Sequence, residues 1–252
     1  METLVCMRGI YKFFGGLCAV NNVDLTVYPG EVIGLVGDNA AGKSTLMKIL
    51  SGVYLASDGE ILFENQQVRF HNPQDARSIG IEMLFQDLAL VPELDVAENL
   101  FLGKEIGWRL FGRLPLNFFL DRRTMSRKAE EFLKDLCINV ENVHEKVRNL
   151  SGGQQQSVSI ARTLFFNAKL VILDEPTSAI SVRETRRVLE LIGQLRSKGV
   201  AVIIVSHRME DIFMVADRIV VLRKGSKVED IPKQETTMEK IIHKIIGLDA
   251  KD

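Results

Sequence analysis

The sequence predicts an α/β fold: a parallel-sheet core, a strand-rich antiparallel region near the N-terminus and a helical segment inserted into the core. Three observations lead there. The short apolar run from Glu31 to Val36 passes through a glycine-rich loop into a helical pattern from Lys43 to Leu50, closed by Ser51-Gly52, the order of a strand feeding a helix. From Gln155 onward, helical patterns alternate with the apolar runs Leu170 to Leu173 and Ala201 to Val205. Such alternation builds a parallel sheet with right-handed crossovers. Between these parts, from Gln86 to Asn149, the periodicity is helical.

Taken in order, residues 3 to 85 read as rich in strands. Asn22 to Tyr28 alternates apolar and polar residues, and Pro29-Gly30 turns that strand into the next. Glu60 to Phe63 and Gln67 to Phe70 form a hairpin around Glu64-Asn65-Gln66. Ser126 to Leu136 carries Ala129, Phe132, Leu133 and Leu136 on one helix face. A helix runs from Gln155 to about Phe166 with Val158, Ala161, Leu164 and Phe165 as its apolar positions, and the tail after Pro232 ends in an amphipathic helix with Met238, Ile241, Ile242, Ile245 and Ile246.

The loop after the first core strand carries the chemistry. Gly37-Asp38-Asn39-Ala40-Ala41-Gly42-Lys43-Ser44 is a complete G-x-x-x-x-G-K-[ST] pattern. In that setting the backbone N–H groups wrap a polyphosphate and the helix N-terminus adds its positive dipole end. Lys43 would reach the β- and γ-phosphates, the Ser44 hydroxyl would hold Mg²⁺, and Thr45 follows in the same first turn. A nucleoside triphosphate is the ligand this pattern implies.

Composition is that of an ordinary folded chain. A 46% hydrophobic share over 252 residues supplies a full core, and a net charge of −1 gives no argument for nucleic acid or an anionic membrane surface. Cys6, Cys18 and Cys137 have no C-x-x-C spacing, and the four histidines no metal spacing, so reduced thiols in a cytosolic protein are expected. Met1-Glu2-Thr3-Leu4 starts no signal peptide, and no apolar run approaches a membrane span.

Leu170 to Leu173 ends in Asp174-Glu175. Carboxylates at the C-terminal tip of a buried parallel strand are how such a sheet builds a Mg²⁺ site. Asp174 is placed to reach the metal through water and Glu175 to act as general base on the attacking water. Alone, the acid pair is equally an exposed turn; beside the phosphate loop it points to catalysis. The strand Ala201 to Val205 ends in Ser206-His207, where a histidine can reach the γ-phosphate. Ser151-Gly152-Gly153-Gln154 stands at the mouth of the next helix; alone it reads as a Gly-rich hinge before an amphipathic helix, and beside the other motifs as a second anion-binding N-terminus. Two phosphate sites in one chain suggest that two chains share nucleotides head to tail.

Gly37 to Ser44, Gln86, Leu150 to Gln154, Leu173 to Ser178 and Ser206-His207 stand in the order found in ATP-binding-cassette (ABC) ATPases, and the resemblance runs from about Leu4 to Gly247. It implies a P-loop NTPase with a RecA-like parallel-sheet core, an N-terminal antiparallel β subdomain and an inserted α-helical subdomain. Residues 1–85 and 155–252 would form the catalytic core with the β subdomain, and 86–154 the helical subdomain that touches a transporter. ATP and Mg²⁺ are the implied cofactors. Phe14 falls where the family stacks an aromatic ring on adenine, though an ordinary core phenylalanine fits there too. Gln86 falls at the coupling glutamine that senses Mg²⁺ and the membrane partner. Ser151, Gly152, Gly153 and Gln154 resemble the signature that completes a partner subunit's site, and His207 the γ-phosphate switch histidine.

The implied partners are a second cassette, either a homodimer or a sister chain, transmembrane permease subunits and, indirectly, a secreted or periplasmic solute-binding protein. No nucleic acid is expected. The implied location is cytoplasmic, peripheral on the inner face of the membrane through the permease. Three departures stand out: Ala40 where relatives carry Gly, Ser181 where most have Asp, and Gln155 where a basic residue is commoner. Ser181-Val182-Arg183-Glu184 is similar to monosaccharide (ribose, galactose, xylose or fructose-type) importer ATPases. Phe14-Gly15-Gly16-Leu17 with Ala19 to Val23 is similar to branched-chain amino-acid importers, which makes that substrate the alternative. Ala40 and Ser181 also keep open an ATP-binding module with weak hydrolysis.

Overall fold

The computed structural model describes residues 2–84, 88–110, 114–165, 168–178 and 180–248. In chain order the elements are β1 (Val5–Phe14), β2 (Leu17–Val27), β3 (Val32–Val36), α1 (Lys43–Leu50), β4 (Asp58–Phe63), β5 (Gln66–Val68), α2 (Pro73–Ser78), β6 (Ile81–Leu84), α3 (Val96–Phe101), β7 (Gly107–Leu110) and β8 (Leu114–Leu120). They continue with α4 (Arg122–Asp135), α5 (Gly152–Leu164), β9 (Leu170–Asp174), α6 (Val182–Ser197), β10 (Ala201–Val205), α7 (Met209–Val215), β11 (Arg218–Arg223), β12 (Ser226–Pro232) and α8 (Met238–Ile246). The chain divides into two compact units, one holding 1–86, 167–178 and 192–252, the other 87–166 and 179–191.

The first unit contains two sheets. A six-stranded sheet has the order β12-β11-β3-β10-β9-β6, parallel except where β12 pairs antiparallel with β11. Every residue of β3 and β10 is buried, which explains why these strands read as continuous apolar runs rather than as alternation. Gly34 in β3 is there for packing: a Cβ would lie 2.4 Å from Ile212 Cγ2, so α7 can press onto the strand. The other sheet is antiparallel, β2-β1-β4-β5. In β2 the residues Val20, Val23, Leu25 and Val27 are buried while Asn21, Asn22 and Asp24 face out. The alternation slips at Asn22, which has φ 51°, beside a register shift against β1, as a bulge requires.

The expected hairpin is β4–β5, turned by Glu64 (φ 49°) and Asn65 (φ 63°). Two consecutive positive φ values are those of a type I′ turn, whose twist matches the strands it joins. The second strand stops at Val68 rather than Phe70. Helix α1 buries Leu46, Met47, Ile49 and Leu50 in one core cluster with residues of both sheets, among them Val5, Leu25, Ile33, Ile172 and Ile203.

The second unit is built on α3, α4 and α5, with Phe165 packed edge-on against Phe101 (4.6 Å) and Phe132 (4.8 Å). Asn99, fully buried, pins the loop before α3: its side chain accepts from Val91 N–H at 2.8 Å and donates to the carbonyls of Val91, Leu94 and Asp95. One expectation fails here. Residues 86 to 149 are not helical throughout, because β7 and β8 pair as an antiparallel hairpin. Pro115 and the run of apolar residues around it, with no 3.6-residue period, are the local reason. Among the described residues no helix is long and apolar enough to cross a membrane.

Candidate active site

The phosphate loop spans residues 37–42 between β3 and α1, and its backbone is unusual. Gly37 has φ 150° and Gly42 φ 99°; a Cβ on Gly37 would lie 2.2 Å from the Leu222 carbonyl oxygen, and one on Gly42 2.6 Å from that of Ala19. The loop therefore lies directly against the backbones of β11 and β2, an approach that glycine alone permits. Ala40 has φ 60°. The left-handed conformation costs an alanine roughly 1 kcal/mol or more, so the departure noted in the sequence sits at a strained position.

Lys43 opens α1 and folds back over the loop, its Nζ donating to the Gly37 and Asp38 carbonyls at 2.8 and 2.9 Å. Burial pushes its amine below the usual lysine range, against the raising effect of the Glu175, Asp174 and Asp38 carboxylates. Three acids thus share the surroundings of the Lys43 ammonium, and Lys48 adds a second cation near Asp174. The Ser44 hydroxyl hydrogen-bonds Asp174, at the tip of β9; burial raises the Asp174 carboxyl and that bond opposes the rise. Among the described residues no three His, Cys, Asp or Glu side chains form a self-contained metal cage. Mg²⁺ does not require one, since it keeps waters and is commonly held by one or two protein groups plus phosphate oxygens. The Ser44–Asp174 pair is a donor set of that kind, and it fits the ion.

Glu175, the first residue beyond β9, has φ 54°. Its N–H donates to the Val205 carbonyl at 2.9 Å, and Ser178 returns its N–H (3.3 Å) and hydroxyl (3.0 Å) to the Glu175 carbonyl. His207 Nδ1 lies 2.8 Å from Glu175 Oε2. That oxygen is buried without a partner of hydrogen-bond geometry, so the carboxylate keeps acceptor capacity. Such an arrangement can take a proton from water. Lys43, Ser44, Asp174, Glu175 and His207 all belong to the first unit. Phe14, at the end of β1, is 42% exposed, with its ring edge-on to Tyr54 at 5.3 Å and Lys12 Nζ 5.1 Å from its centroid. It is a surface aromatic, not a core one. Gln86 lies outside the described residues.

The Ser151 site is built in the second unit. The helix begins at Gly152, not Gln155 as expected, because Ser151 and Gln154 form a reciprocal cap. Ser151 Oγ accepts from Gln154 N–H at 3.2 Å and Gln154 Oε1 accepts from Ser151 N–H at 3.0 Å. Sequence reading missed a participant here. Glu184, in the first turn of α6, accepts from Gly153 N–H at 2.9 Å and, through its other oxygen, from the Ser181 N–H (3.0 Å) and hydroxyl (2.9 Å). A Cβ on Gly153 would stand 2.3 Å from Glu184 Cγ, so that glycine makes room for the carboxylate. The hydrogen bonds of Ser181, then Gly153 and Ser151, hold the Glu184 carboxyl down at about 2. The signal was present: Ser181-x-x-Glu184 is itself a capping-box pattern.

A strand, a phosphate loop and a helix on a mainly parallel sheet, with carboxylates at the strand tips, define a P-loop NTPase. Comparison with known proteins narrows the class. The family model described as ABC transporter matches residues 20–178. The chain is 42% identical to the xylose/arabinose import ATP-binding protein of Sulfolobus acidocaldarius, covering 96% of this chain and 93% of that one. It is 41% identical to the fructose import ATP-binding protein of Rhizobium meliloti, over 98% of this chain and 95% of the other. The xylose import ATP-binding protein of Burkholderia cenocepacia is 44% identical over all of this chain, which spans 47%, about half, of that protein's length. Among solved structures, a nucleotide-free ATP-binding cassette from an ABC transporter superposes with TM-score 0.80 at 26% identity, covering 99% of this chain and 96% of its own. A dimeric cassette in a post-hydrolysis state, bound to ADP and Pi, superposes with TM-score 0.73 at 26% identity, over 91% and 98%. The chain belongs to the ABC transporter family.

Proposed function

We propose that this chain is the ATP-hydrolysing subunit that energises a sugar importer. The observation that carries the reading is the convergence of Lys43, the Ser44–Asp174 pair, Glu175 and His207 within one compact unit. ATP enters with its phosphates on the 37–44 loop and its adenine on Phe14, and the Lys43 ammonium leaves the Gly37 and Asp38 carbonyls for the β- and γ-phosphates. Ser44 and Asp174 would hold Mg²⁺, which when bound would supply charge neutralisation at those phosphates. Glu175 takes the proton of the attacking water as the bond to the γ-phosphoryl group breaks, leaving ADP and phosphate, and His207 orients the γ-phosphate. Gln86 reads the state of this site for the membrane partner.

Ser151, Gly152, Gly153 and Gln154 complete the nucleotide site of a second chain, identical or a sister, so the working unit is a dimer seated on transmembrane permease subunits at the cytoplasmic face of the membrane. A solute-binding protein acts through the permease. The sugar assignment rests on the names of the relatives and on Ser181-Val182-Arg183-Glu184. Turnover of Glu175→Gln tests the reading. ATP binding should persist while hydrolysis falls by about 10²-fold or more, the scale of losing a positioned general base. A wild-type single-turnover rate would reject it.

A further inference from the structure

The turn that carries Glu175 is tied to the helix behind His207 by a buried bond that the chemistry above does not use. Thr177 Oγ1 donates to Asp211 Oδ2 at 2.6 Å, with Thr177 fully buried and Asp211 4% exposed. Arg208 closes the group, its Nε 3.5 Å from Asp211 Oδ2 and its guanidinium 3.5 Å from the Thr177 carbonyl. Thr177 lies two residues after Glu175, and Asp211, in α7, four after His207.

Two physical facts make this more than packing. A buried carboxylate is costly unless its acceptor capacity is used, and the Thr177 hydroxyl is a charge-assisted donor to it, about twice as strong as a neutral one. Glu175 also sits at φ 54°, a sparsely populated conformation that persists where the surroundings over-determine it. The bonds at Glu175 N–H and carbonyl fix the two ends of the 175–178 turn. Thr177–Asp211 fixes its middle.

We propose that Asp211 and Thr177 are positioning residues for hydrolysis, acting through Glu175: their bond holds the strained turn so that the Glu175 carboxylate stays in register with His207. The proposal rests on Glu175 being the general base. Loss of the bond lets Glu175 relax toward an ordinary φ, and a displacement of about 1 Å at a reacting group can cost about 10²-fold in rate. No hydrogen bond among the described residues joins the pair to the phosphate loop, so nucleotide affinity is expected to stay at its wild-type value.

The test is single-turnover hydrolysis and ATP affinity for Thr177→Val, Thr177→Ser, Asp211→Ala and the Val/Ala double variant, with Glu175→Gln alongside. Thr177→Val should slow hydrolysis on the order of tenfold or more, with affinity within about twofold, and Thr177→Ser should restore the rate. The double variant should be no slower than the slower single, because both remove one bond. If Asp211→Ala does not fold, the Val/Ser pair decides alone. A slow Glu175→Gln enzyme beside a Thr177→Val enzyme at the wild-type rate overturns the clamp, as does a Thr177→Val loss that tracks only the unfolded fraction. A wild-type rate in Glu175→Gln overturns instead the assignment of the base.

Discussion

Ala40 is where a single side chain meets the loop's backbone most directly. Its φ of 60° means that Ala40→Gly relieves roughly 1 kcal/mol of strain. Glycine also adds about 0.4–1 kcal/mol of unfolded-chain entropy, and the two nearly cancel. The expected result is a denaturation midpoint and an ATP affinity both close to wild type, so that this departure from the family pattern does not disable the site. Ala40→Val, β-branched at positive φ, should destabilise clearly. An Ala40→Gly chain binding ATP tenfold more tightly would mean that strain at Ala40 opposes binding. At this scale the pattern Gly-Lys-Ser was readable because each residue type answers a local need: small backbone, long cation, short hydroxyl. The left-handed φ of Glu175 was not readable, because it occurs in a turn whose bonds reach the distant residues Val205 and Asp211.

Among elements, the joined N-termini of α5 and α6 stand out. One carboxylate, Glu184, serves Gly153 at one helix mouth and Ser181 at the other. Its carboxyl is held at about 2 against an ordinary 4.5. A depressed carboxyl contributes stability that is present above the unfolded value and lost as pH falls through the folded one. Glu184→Ala should therefore be less stable than wild type by a constant amount above pH 4.5, and the gap should shrink between there and about pH 2. Urea midpoints across that range measure it; a gap that stays constant to pH 2 would show that the charge is idle. Sequence periodicity found β3, β9 and β10 and the bodies of α4, α5 and α8, whose patterns are local, but began α4 and α5 after their caps at Asp121 and Ser151. It failed at β7–β8, where a helical reading was carried across Pro115 and an apolar run without helical period.

Taken whole, the molecule invites a test of assembly. Lys43 and Ser151 sit in different compact units; on the proposed reading each active site draws on two chains, Lys43 from one and Ser151 from the other. Lys43→Ala and Ser151→Arg chains should each be inactive alone. Mixed, they should regain a fraction of the wild-type rate, because one of the two composite sites is then intact. Light scattering should detect an ATP-dependent rise in mass, clearest with Glu175→Gln. Mixtures as inactive as their components, with no change in mass, would leave the Ser151 helix mouth without its proposed role.

The sequence by itself determined the α/β class, the strands β3, β9 and β10 and the identity of the phosphate loop, because these depend on local periodicity and on residue types at short spacing. Tertiary structure decided what lies far apart in the chain: that Ser44 bonds Asp174, that His207 approaches Glu175, that Glu184 fills the space left by Gly153, and that Thr177 reaches Asp211. The pairings within the first unit are set by the order β11-β3-β10-β9 in its sheet, and that of Glu184 with Gly153 by the meeting of the α5 and α6 N-termini in the second; strand order depends on the energy of the packed core rather than on any local run of residues.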